Sequence, residues 1–124
     1  MKNSNRNVLT LAYIGDGIYE VYVREYLVKQ GIEKVNELQK LAVNYVSARS
    51  QSKYLKEMID LNMFSEEELS IILRARNHKG ASHPKNTDIV TYKYATGLEA
   101  LIGTLYLDSN KTRIDEIMNY ILNK

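Results

Sequence analysis

Asp16 stands between Gly15 and Gly17, and Glu99 is followed one helical turn later by Gly103, so each acid shares its stretch of helical pattern with glycine. Gly15, Gly17, Gly97 and Gly103 all fall inside such patterns, where each costs about 1 kcal/mol relative to alanine. Close approach of two helix backbones would compensate for that cost, and Glu99 and Gly103 lie on one face of their helix. Two partly buried carboxylates on touching helices repel one another unless a proton or a cation lies between them. A hard divalent ion with oxygen ligands fits a chain that has no cysteine. A capping or salt-bridging acid on each helix is the alternative that spacing alone leaves open.

Other residues offer less. Glu20, one turn after Asp16, is placed either to assist through a water or to stand as an exposed helix glutamate. The two histidines, His78 and His83, fall in the aperiodic stretch from Arg76 to Asn86, where a base or ligand role competes with phosphate contact and simple solvation. Ten tyrosines and no tryptophan raise the question of base stacking. Tyr13, Tyr22, Tyr92 and Tyr106 sit at helical spacing, which favours core or interface packing with satisfied hydroxyls. From Arg74 to Lys93, five basic residues face Asp88 alone, whereas the whole chain carries a formal net charge of only +2. Such segregation describes either a polyanion-binding edge or a solvated connection.

The elements that must position these groups are helical. With 124 residues, 44% hydrophobic and 26% charged, the chain is expected to form one domain over 1–124, with no repeat and no linker. Apolar residues recur at helical spacing almost throughout, for instance Leu11, Ile14, Ile18, Val21 and Tyr22, then Leu98, Leu101, Ile102 and Leu105, and no convincing strand interrupts them. The expected class is therefore all-α. The first helix should run from about Val8 to Gln30 and stop at Gly31, with Ile32 folding back as the apolar contact. Asn36 with Gln39 is expected to open a second helix, and Ser47 a third. Ser65, Glu68 and the pair Phe64 and Leu69 give a fourth its start. Two closing helices are expected, from about Asp88 to Leu107 and from Thr112 to Leu122. No apolar run approaches the roughly 20 residues of a membrane span, and Asp16 breaks the stretch from Val8 to Ile18, so a cytoplasmic protein is expected.

The run Leu11-Ala12-Tyr13-Ile14-Gly15-Asp16-Gly17-Ile18 resembles the signature helix of the ribonuclease III family. Glu99-Ala100-Leu101-Ile102-Gly103, with Leu105-Tyr106-Leu107-Asp108, resembles that family's second acidic motif, in the same order. Arg74-Ala75-Arg76-Asn77 and Asn86-Thr87-Asp88, followed by Thr91-Tyr92, resemble the short bacterial branch, Mini-ribonuclease III, which has the catalytic domain without a double-stranded-RNA-binding domain. The resemblance spans nearly the whole chain and implies the ribonuclease III endonuclease fold. It places the signature aspartate on Asp16 and the second-motif glutamate on Glu99, both as catalytic, metal-holding residues. Two further family acids are replaced by Leu9 and Thr96, so the expected metal shell is thinner.

The activity implied is Mg2+-dependent cleavage of double-stranded RNA by a homodimer, each subunit cutting one strand and leaving staggered ends with 5′ phosphates. A magnesium ion on Asp16 and Glu99 would acidify a bound water, neutralise a nonbridging phosphate oxygen and stabilise the departing 3′ oxygen. The short branch implies maturation of the large-subunit (23S) ribosomal RNA precursor, with a ribosomal protein as a candidate presenter of the substrate. On this reading Arg74, Arg76, Lys79 and Lys85 supply charge to the RNA backbone, and Asn77 and Ser82 supply hydrogen bonds. A noncatalytic RNA-binding or ribosome-associated module with the same fold is the alternative. Retention of both Asp16 and Glu99 argues against it.

Overall fold

The computed structural model describes residues 1–79 and 88–123. Six helices follow in chain order: α1 (Val8–Lys29), α2 (Val35–Val46), α3 (Ala48–Asp60), α4 (Glu66–Arg76), α5 (Ile89–Leu107) and α6 (Lys111–Leu122). Among the described residues there is no strand. The all-α expectation and the helix order hold, with ends displaced by a residue or so.

Helix α5 is buried at every position from Ala95 to Leu105 except Glu99, the pattern of a helix enclosed by others. Helices α1, α3 and α4 pack along it, and α6 closes the end. Its two buried hydroxyls stay satisfied within the helix, Thr96 donating to Tyr92 O at 2.9 Å and Thr104 to Ala100 O at 2.8 Å. Leu11, Tyr19, Leu55, Ile72, Leu98, Leu101, Ile102, Ile114 and Ile117 fill the space around it.

The cap residues act as their types require. Gly31 has φ +92° just past the end of α1, in the left-handed region. Ser47 caps α3, its hydroxyl accepting from Ser50 N at 3.2 Å. Ser65 and Glu68 form a reciprocal capping box at 3.1 and 2.9 Å. Glu68 does more than cap: Arg113 on α6 grips its carboxylate at 2.8 and 2.9 Å and also donates to Met63 O at 2.6 Å, tying α6 to the start of α4. Helix α2 departs from expectation, since its N-cap is Lys34 without a side-chain cap and Asn36 lies within the first turn.

The glycines divide. A Cβ on Gly15 would overlap the Glu99 carbonyl oxygen and lie 2.6 Å from its carbon and 2.9 Å from Gly103 N. One on Gly103 would overlap Leu11 O, so α1 and α5 touch main chain to main chain. Gly97 instead faces α4, with Ile72 O 3.1 Å from a Cβ added there, and Gly17 has nothing within 4 Å among the described residues. Helix contact therefore accounts for Gly15, Gly97 and Gly103 but not for Gly17.

Candidate active site

The Gly15–Gly103 contact sets the acids beside each other, because Asp16 follows one glycine directly and Glu99 lies a turn before the other. Asp16 is on the exposed side of α1, and Glu99 is half-buried on α5. Burial, then the neighbouring Asp16 carboxyl, and to a smaller extent Glu20, push the Glu99 carboxyl up to about 9. Gln51 works in the opposite direction, favouring the charged form. Without a cation, Glu99 therefore keeps its proton at neutral pH. Among the described residues no group of three His, Cys, Asp or Glu side chains converges on a point. Two facing carboxylates nonetheless suit Mg2+, which commonly takes one or two carboxylates and retains several waters.

Behind the pair, Tyr19 is fully buried and donates its hydroxyl to Tyr45 O at 2.6 Å. Burial raises its pKa far above the usual tyrosine range, with Tyr54 and the Glu99 carboxyl adding to the effect, so it stays neutral. Glu20 is half-buried and accepts from Arg24 Nη2 at 3.2 Å, near enough to act on Glu99 by charge. Gln51, on α3, is a residue of this site that sequence reasoning missed. Its only signal in the chain is its register with Leu55 and Met58 on the apolar face of α3, among polar neighbours Ser50, Ser52 and Lys53.

The expected RNA-contact residues separate. Arg74 is committed to the N-terminal segment, donating to Ser4 O and, at 3.2 Å, to Arg6 O. Arg76 turns to α5, where its guanidinium lies 5.6 Å from the Tyr94 ring centre and 3.3 Å from the Tyr94 hydroxyl. Lys56 from α3 stacks on the same ring at 4.7 Å. Asn77 caps the end of α4 and Lys79 is exposed. Ser82 and Lys85 lie outside the described residues, as does His83, while His78 is half-buried with Nδ1 unpartnered. Arg49, Lys53 and Lys56 were not anticipated; at i, i+4 and i+7 they form an exposed basic row on α3, beside Thr91 of α5. Tyr13 and Tyr106 are exposed rather than packed in the core, whereas Tyr22 is satisfied by Asp115 at 2.6 Å.

Residues 9–110 match the Ribonuclease III domain family. The chain is 44% identical to the Mini-ribonuclease 3 of Enterococcus faecalis, over 95% of this chain and 89% of that protein. It is 52% identical to the Mini-ribonuclease 3 of Desulfitobacterium hafniense, over 87% and 67% respectively. A crystal structure of a Fusobacterium nucleatum protein superposes with a TM-score of 0.88 at 33% identity, covering 98% of each chain. Both acidic stretches lie within the matched span, on the helices whose contact builds the site. The chain belongs to the ribonuclease III family, in its Mini-ribonuclease branch, and is an endoribonuclease.

Proposed function

We propose that this chain hydrolyses double-stranded RNA with Mg2+ held by Asp16 and Glu99, acting as a single catalytic domain in the cytoplasm. The observation that carries the reading is the meeting of these two carboxylates across a backbone contact that no larger residue would permit. When bound, the ion supplies an acidified water and charge neutralisation at the scissile phosphate. The chain's own part is to hold two negative oxygens at a fixed separation and to keep neighbouring groups uncharged, as Tyr19 is. The basic row of Arg49, Lys53 and Lys56, with Arg76 and Lys79 at the end of α4, supports binding of a phosphate backbone along α3 and around Tyr94. A-form RNA hides its base edges, so such contacts suit a duplex. The family resemblance extends the proposal to the 23S ribosomal RNA precursor, with a ribosomal protein presenting the stalk.

Two strands call for two sites, and the working form is a homodimer. Support comes from α2, none of whose residues is buried, and from the apolar groove it forms with α1, lined by Leu27, Val28, Val35, Leu38, Val43 and Val46. Incubating the protein with labelled duplex RNA, with and without Mg2+, tests the activity. Cut products that appear only with the metal are expected. Tight duplex binding with no cleavage at any Mg2+ concentration would instead identify a noncatalytic RNA-binding module.

A further inference from the structure

We propose that Gln51 is a positioning residue, its side-chain amide holding the Glu99 carboxylate turned toward Asp16 so that the two acids present one cation site. The inference rests on the metal-holding reading above. Gln51 is 1% exposed and shares its face of α3 with Leu55 and Met58, both fully buried. A buried amide group left unpaired is costly, and among the described residues Gln51 Nε2 has no hydrogen-bond partner. Leucine or methionine would continue the stripe without that cost. Packing therefore does not explain the glutamine.

What the amide faces does explain it. Helix α3 packs on α5, and this places the Gln51 side-chain amide within reach of the Glu99 carboxyl. The other groups acting on Glu99 are Asp16 and Glu20, which are acids. Tyr19, nearby, has its hydroxyl proton committed to Tyr45 O. Gln51 is the one among these with N–H groups to spare. A donor behind a ligating carboxylate fixes its rotation and leaves the outward oxygen for the ion, the role that outer-shell partners play in metal sites. The arrangement also accounts for how a pair of acids, without the additional ones usual in the family, presents a defined site.

The test uses the full-length protein and Gln51→Met, which keeps volume and removes the donor. Mn2+ binding is measured by calorimetry without RNA, alongside the Mg2+ concentration for half-maximal cleavage and the Tm. The expected result is Mn2+ affinity lowered about 10–100-fold and a matching rise in the Mg2+ requirement. The maximal rate should largely recover at saturating Mg2+, and the Tm should be equal to or above that of the parent. Gln51→Leu is read in the same way should the methionine variant not fold. Unchanged Mn2+ affinity in a folded variant overturns the proposal, and so does failure of both variants to fold, which would make Gln51 a residue of the fold alone. A parent protein that binds no Mn2+, together with a fully active Glu99→Gln variant, would instead overturn the metal site itself.

Discussion

On one face of α1, Leu11, Gly15, Tyr19 and Val23 are buried, and Gly15 lies main chain to main chain against α5. On the opposite face Tyr13, Gly17, Val21 and Val28 stand uncovered, with Tyr13 at 83% exposure and Val21 at 59%. Both faces carry a glycine and aliphatic or aromatic side chains, yet among the described residues only one has found its partner. The uncovered face continues into α2, where Val35 and Val43 are also exposed. Helix α2 rests on the core only through partly buried Leu38, Ala42, Tyr45 and Val46, which leaves apolar surface for a further contact to cover. The contrast separates what this chain completes by itself, the acid pair, from what a second copy completes on the proposed reading. Asp16 sits at the boundary between the two.

Several measurements would break or sharpen that contrast. The largest effect is expected at the acids: Asp16→Asn and Glu99→Gln should each lower duplex cleavage more than about 100-fold, beyond what loss of an outer-shell partner costs. Circular dichroism and RNA binding in Ca2+ should change little, and near-normal cleavage at saturating Mg2+ would remove that residue from the site. Next, Val21→Asp combined with Val28→Asp should place two charges in the subunit contact and raise its dissociation constant about 100-fold or more, equivalent to roughly 3 kcal/mol. Sedimentation at micromolar concentration should then show monomer where the parent shows dimer, and an unaltered dimer would assign the contact to another face.

Gly15→Ala should cost about 3 kcal/mol, the upper end for overpacking, because its methyl group meets backbone that no rotamer change can move. Urea unfolding measures this. Acid should act through the link between α4 and α6. Burial tends to raise the Glu68 carboxyl, but its bonds from Arg113 and from Ser65 outweigh that and hold it below the ordinary glutamate range. Its contribution is present above the unfolded glutamate pKa and is lost as pH falls through the lower folded value. Arg113→Met should therefore flatten the acid limb of a stability-versus-pH curve, and an unchanged limb would discount the pair. The smallest effect is expected at Gly17, where alanine should stabilise an isolated helix by about 0.5–1 kcal/mol. A concentration-dependent loss in its place would put Gly17 inside the subunit contact.

Features that depend on neighbours in the chain were legible in the sequence. Gly31, Ser47 and the Ser65–Glu68 box end or begin helices through bonds to residues within a turn, so the residue types alone suffice. The Asp16–Glu99 pairing was also foreshadowed, because glycine in a helix signals a close partner, and two of the four had each other. The same signal misled at Gly17, which meets nothing, and gave no hint that Gly97 approaches Ile72 on α4. Arg74 shows another limit. Its charge suggests an RNA contact, yet carbonyls of Ser4 and Arg6, distant in sequence, hold it. Gln51 was obscured by the serines and lysine around it, since only the packing of α3 on α5 distinguishes the face it occupies.

The contact between Gly15 and Gly103 joins residues near opposite ends of the chain. Closing so long a loop carries an entropic cost, so the contact is a non-local one that local helix formation alone does not secure. On the proposed reading neither α1 nor α5 holds the cation site alone, and a nascent chain that has not yet extended through α5 has only half of it. That site would thereby be coupled to completion of the fold: a chain stalled in synthesis, or opened by undocking α1 from α5, would carry the same acids too far apart to share an ion.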